Sequence, residues 1–160
     1  MNNRRKLVIA LCAGALAAPS GAFAQDRAVK IPRIGVLTSD PISALEIQFG
    51  VVRAGLRDLG YVEGKNINFE FRSAEGNYAR LPELAAGLVR AGVDIIVTIG
   101  TPPSLAAKAA TATIPVVMAG VGDPVGSGLV ASLAHPGGNV TGTSNLSPPL
   151  MVKRLALLKD

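Results

Sequence analysis

Two kinds of apolar segment alternate along this chain, and the alternation leaves few folds open. Residues 33–38 (Arg33-Ile34-Gly35-Val36-Leu37-Thr38), 94–99 and 114–119 are short apolar runs rich in β-branched residues, the pattern of strands buried on both faces. Between them apolar residues recur at spacings of three and four: Ile42, Leu45, Phe49, Val52, Leu56 and Leu59, then Leu81, Leu84 and Leu88. Those spacings put each set on one face of a helix. Residues 67–72 alternate instead, with Ile67, Phe69 and Phe71 set against Asn68, Glu70 and Arg72, which reads as a half-buried strand at or near an edge. Asp40-Pro41, or the Ser43-x-x-Glu46 box, can open the first helix, Pro82 lies in the first turn of the second, and Gly60 and Gly92 close them. Further helices are expected over 104–112 and 125–134, a short fifth strand over 140–143, and an amphipathic helix from Pro148 with Leu150, Leu155 and Leu158. Strand and helix in alternation force parallel pairing with right-handed crossovers. The expected class is α/β, a doubly wound parallel sheet.

The first 24 residues stand outside that pattern. Asn2-Asn3-Arg4-Arg5-Lys6 is basic, residues 7–19 are apolar and uncharged, and Ala22-Phe23-Ala24 offers small residues where a signal peptidase reads. This is the layout of a secretory signal peptide ahead of Gln25, and the apolar run is too short for a permanent membrane span. Sec and twin-arginine routes both remain open, since Arg4-Arg5 lacks the usual surrounding residues. Removal of Arg4, Arg5 and Lys6 takes the net charge from +5 to +2. No basic cluster is then left to suit nucleic acid. The one cysteine, Cys12, leaves with the signal, so neither disulfides nor thiol chemistry is expected of the mature chain. The remaining length is that of one ordinary domain.

In an open parallel sheet, ligands bind beyond the carboxyl ends of the strands. Three loops fall there: Thr38-Ser39-Asp40, Gly100-Thr101-Pro102 and Gly122-Asp123-Pro124. Ser39, Asp40, Gly100, Thr101, Gly122 and Asp123 are therefore the candidate ligand-binding residues. Each also has a structural reading: Asp40 and Asp123 precede prolines and can cap helices, Thr101 can cap the helix after it, and the glycines can serve turns alone. A nucleotide site is disfavoured. No glycine fingerprint follows the first strand, and Gly120-x-Gly122-x-x-x-Gly126 has the wrong last spacing. His135, the single histidine, is read as a loop residue, no serine sits in a nucleophile elbow, and the carboxylates lack metal-ligand spacing. No catalytic residue, metal or cofactor is expected. Asn139-x-Thr141 and Asn145-x-Ser147 are formal glycosylation sequons to which no role is given.

One resemblance covers the mature chain in order. Gly55-Leu56-Arg57-Asp58-Leu59-Gly60-Tyr61-Val62-Glu63-Gly64-Lys65-Asn66-Ile67, Leu81-Pro82-Glu83-Leu84-Ala85, Gly122-Asp123-Pro124-Val125-Gly126-Ser127-Gly128-Leu129 and Leu133-Ala134-His135-Pro136-Gly137-Gly138-Asn139-Val140-Thr141-Gly142 closely resemble the substrate-binding proteins of ABC transporters, in the group of tryptophan/tyrosine-type periplasmic binding proteins. The resemblance implies a type I periplasmic-binding fold, in which two α/β lobes close about a hinge on a small molecule. It makes residues 25–143 the first lobe, and 144–160 the crossover and first helix of a truncated second lobe. It implies a periplasmic, monomeric, non-enzymatic solute receptor for an ABC importer, whose partners are the solute and a permease at the membrane surface. Ser39, Gly100, Thr101 and Asp123 would supply polar contacts, with Asp123 facing an amino group and the Thr101 region a carboxylate. The other reading is a periplasmic ligand-sensing lobe that feeds a signalling receptor.

Overall fold

The structure, a computed structural model, describes residues 30–145. The expected signal segment and the expected helix from Pro148 lie outside them. Five strands form one parallel sheet: β1 Arg33–Thr38, β2 Asn68–Ser73, β3 Ile95–Ile99, β4 Val116–Val121 and β5 Val140–Ser144. Their spatial order is β2-β1-β3-β4-β5, so β1 is flanked by β2 and β3. Three helices accompany them: α1 Glu46–Asp58, α2 Leu81–Arg90 and α3 Thr101–Ala110. The α/β, parallel-sheet expectation is met.

Successive strand residues point to opposite faces, and here both faces carry apolar side chains. Leu37, Ile96, Val116, Met118 and Val140 meet Leu81, Ala85 and Leu88 of α2 and Ala107 of α3 in the larger core. Val36 meets Leu45 and Phe49 in the smaller one, with Ile34, Phe69, Phe71 and Ile99 around them. α2 follows directly from its sequence. Leu81, Ala85 and Leu88 form the buried stripe, Glu83 in the first turn and Arg90 in the last complement the helix dipole, and Gly92 at φ 66° ends it.

α1 departs from its expected face. Leu45 and Phe49 are buried, but Ile42, Val52 and Leu59 are 40%, 45% and 74% exposed. A 3-10 turn over Ile42–Leu45 precedes the helix and rotates Ile42 off the stripe, while Leu59 falls beyond the last turn. Aromatic packing anchors the helix instead. The Phe49 ring meets those of Phe71 and Phe69 edge-on at 4.9 and 6.0 Å. The Arg53 guanidinium lies over Phe69 and Phe71 at 5.9 and 5.8 Å, its Nε donating to Glu63 at 2.6 Å. Beside α1, the half-buried Val97, Ile99 and Ala119 join Leu45, Phe49 and Val52 around an apolar groove of about 260 Å³.

Two other expectations are corrected. β4 begins at Val116 rather than at Ile114, because Pro115 has no N–H to give a ladder, and it runs on to Val121. Residues 125–134 form turns and bends, not a helix. Gly126 and Gly128 weaken the segment, and Gly128 at φ 72° reverses it. Leu129 and Val130 are nonetheless buried in the larger core. Lys108 Nζ ties this loop to α3 by donating to the carbonyls of Gly128 and Leu129, at 2.6 and 3.1 Å. Asn139, in a formal sequon, has a structural role. Its amide donates to the carbonyls of Thr111 and Ile114 and closes the turn before β5.

Candidate functional site

The carboxyl ends of β2, β1, β3 and β4 lie side by side, and their loops form one rim. Along it stand residues 74–77, Ser39-Asp40, Gly100-Thr101 and Gly122-Asp123, in that spatial order. Thr38 pairs with Ile99 in the β1–β3 register. Ser39 and Gly100, the next residue of each chain segment, are thus neighbours at about one strand spacing, roughly 4.8 Å.

Ser39 is the most unusual residue of the six candidates. It is only 8% exposed, and its hydroxyl has no hydrogen-bond partner among the described residues. An unpaired buried hydroxyl costs about 1–3 kcal/mol. Its backbone is held firmly, since the Ser39 carbonyl accepts from Gly76 N at 2.8 Å. Thr38 Oγ1 accepts from Asp40 N at 3.1 Å, and the Asp40 carbonyl accepts from Ser73 Oγ at 2.8 Å. Asp40 itself is exposed and caps nothing. The residue before the 3-10 turn is Pro41, no side chain caps it, and Asp40 lies one position too far out. The alternative Ser43-x-x-Glu46 box also fails, because Ser43 lies inside that turn and Leu45 precedes α1.

Gly100 has φ 86° and ψ 173°, a backbone region that only glycine occupies readily, and it is the residue that opens α3. Thr101 is therefore the first helical residue and not the cap. A buried network fixes this junction: Ser104 Oγ lies 2.7 Å from Thr98 Oγ1 and 2.7 Å from the Gly100 carbonyl. Four N–H groups at a helix start have no partner within the helix. Gly100 donates its own to the Ala119 carbonyl at 2.9 Å, while Pro102 and Pro103 have none. The Thr101 N–H is the donor that remains, at the positive end of α3.

Asp123 behaves first as a turn residue. Its Oδ1 accepts from Gly126 N at 2.8 Å, and a Cβ on Gly126 would collide with the carboxylate. Gly122 is half-buried between β4 and that turn. The structure thus sets Ser39, Gly100 and Thr101 together and places Asp123 a further strand away, with Asp40 exposed beside Ser39. Ser73 and Glu75 also belong to this rim. The sequence offers only a faint signal for them, since Glu75-Gly76 is not a common turn pair. Chemically, a recessed hydroxyl beside a helix N–H suits a carboxylate or another small anion.

The family model described as ABC transporter substrate binding protein matches residues 33–160. A tyrosine-binding protein of Clostridioides difficile is 44% identical over 96 residues, which is 60% of this chain and 28% of that protein. A Streptococcus ABC domain solved in complex with L-Trp superposes with a TM-score of 0.65 at 35% identity, over 71% of this chain and 38% of the other. A conserved domain protein of Vibrio cholerae gives 0.71 at 39% identity, over 79% and 43%. A ligand-free, open substrate-binding protein with adhesive properties from Clostridium difficile gives 0.66 at 33%, over 71% and 39%. The chain spans less than half the length of each of these relatives.

Proposed function

Since the chain belongs to the ABC transporter substrate-binding protein family, we propose that it forms one wall of a solute-binding cleft in the periplasmic receptor of an ABC importer. The observation that carries this reading is the buried, unpartnered Ser39 hydroxyl on a residue that the β1–β3 register sets next to Gly100, at the start of α3. The hydroxyl and the Thr101 N–H suit a ligand carboxylate. An aromatic amino acid is the solute, a choice supported by the relatives named for tyrosine and solved with L-Trp. The opposing wall comes from the rest of a polypeptide about twice this length in those relatives. Ligand biases a hinge equilibrium toward the closed form, and the closed form presents its surface to the permease. The receptor acts as a monomer and holds its solute without chemical change.

Ser39→Ala tests the site. In the complete two-lobe protein, titration calorimetry with L-tryptophan and L-tyrosine should show about tenfold weaker binding, the scale of one lost hydrogen bond to a charged group. Stability without ligand should hold or rise slightly, because the substitution removes an unsatisfied buried hydroxyl. Unchanged affinity for a bound amino acid would remove Ser39 from the site.

Export follows from the same reading. We expect the mature protein in a periplasmic extract to begin at Gln25, within a residue or two, because Ala22-Phe23-Ala24 precedes it. Mass spectrometry of the intact protein decides this. A soluble cytoplasmic form that retains residues 1–24 would overturn the assignment.

A further inference from the structure

The turn that follows β2 contains the only non-glycine residue at positive φ among the described residues, Glu75 at φ 51°. Gly76 follows at φ 80°, and Asn77 N donates to the Ala74 carbonyl at 2.9 Å. Two positive φ values inside one bonded turn are the pattern of type I′, whose first central position favours asparagine, aspartate or glycine. Glutamate there carries backbone strain that asparagine would relieve. The turn is also held hard against the crevice. Ala74 N donates to the Thr38 carbonyl at 3.0 Å, Gly76 N to that of Ser39 at 2.8 Å, and Ser73 Oγ receives Glu75 N at 3.0 Å while donating to the Asp40 carbonyl at 2.8 Å. These bonds hold the Glu75 backbone beside the rim, with its side chain exposed.

Two other acidic groups stand on this rim: Asp40, exposed beside Ser39, and Asp123, which is less available. Asp123 commits Oδ1 to its own turn and follows β4, two strands from Ser39 in the sheet order. Glu75 follows β2, one strand away, and its carboxylate makes no hydrogen bond or ion pair among the described residues.

We infer that Glu75 is a specificity-determining residue, which receives the α-ammonium of an amino acid whose carboxylate lies between Ser39 and Thr101. The inference rests on the proposed solute-binding reading and adds the polarity of the ligand to it. A zwitterion would lie along the rim, its anionic end at α3 and its cationic end toward β2. A deaminated acid of the same shape would keep one contact and lose the other.

The test uses the complete two-lobe protein with L-tryptophan and its deaminated analogue 3-(indol-3-yl)propionate. Glu75→Asn relieves the turn and should raise Tm by about 2–4 °C. It should weaken L-tryptophan on the order of 10- to 100-fold and leave the propionate unchanged. Glu75→Gln keeps the strained turn, so Tm should hold while L-tryptophan affinity falls. Tight L-tryptophan binding by both variants, with the Tm rise in Glu75→Asn, would mean that Glu75 is only a mismatched turn residue, and the inference fails while solute binding stands. A wild-type protein that binds neither L-tryptophan nor L-tyrosine overturns the solute reading itself, and this inference with it.

Discussion

Gly142→Ala is expected to destabilise the fold by about 3 kcal/mol or more and to free β5 from the sheet. Gly142 has φ 140°, and a Cβ there would run into the backbone oxygen, nitrogen and carbonyl carbon of Met118. The obstacle is main chain, so no rotamer change relieves it. Gly142 pairs with Met118 where the β4–β5 register shifts, between Met118 and Val121, the kind of irregularity at which a strand glycine lets two backbones approach. The strand cannot slide away either. Val116 N donates to the Asn139 carbonyl at 2.8 Å below the site, and Asn145 N to that of Val121 at 2.9 Å above it. Strain at such a φ costs about 1–3 kcal/mol alone, and a strand forced off its partner adds lost hydrogen bonds. Urea denaturation should register the loss, and hydrogen exchange should place it in β4 and β5 while β1 and β3 stay protected. A variant within about 1 kcal/mol of wild type would show that β5 can relax in a way the backbone geometry does not suggest.

Much of the fold is legible from residue order. The β-branched runs form β1, β3 and β4, and the alternating segment forms the edge strand β2. Leu81, Ala85 and Leu88 fall inward at helical spacing. The departures have tertiary or turn-level causes. Leu129 and Val130 are apolar because they pack against α3, not because their segment is helical. Asp40 makes no cap because Pro41 takes the position before the 3-10 turn. The rule for parallel sheets locates the rim, but the buried, unpartnered state of the Ser39 hydroxyl, which Ser127 shares, depends on packing that no single-residue pattern reports. Glu75 is barely signalled in the sequence because what sets it apart is a φ value, and glutamate is not a residue that announces positive φ.

Leu88→Ala is the other large effect, expected at about 3–5 kcal/mol, the range for a leucine truncated in a packed core. Leu88 is fully buried, on the α2 face that meets β1. Its fit depends on Gly35 in β1. A Cβ built on Gly35 would stand 3.0 and 3.1 Å from the two Leu88 methyls and 3.2 Å from Val93 Cγ2. The glycine thus makes room for leucine, and the two positions should couple. Gly35→Ala alone should cost about 1–3 kcal/mol by overpacking. In the Leu88→Ala background the same methyl enters a vacated space and should be nearly neutral. The double-mutant cycle is therefore expected to give a favourable interaction of at least about 1 kcal/mol, well above the few tenths seen for independent sites. With total stability of about 5–15 kcal/mol for a domain, Leu88→Ala alone can leave a large unfolded fraction at physiological temperature, so the cycle is best read by urea midpoints at or below room temperature. Strictly additive losses would mean that α2 moves away from β1 to accept the extra methyl, and that the close approach of Leu88 to Gly35 is not what sets the spacing of helix and sheet.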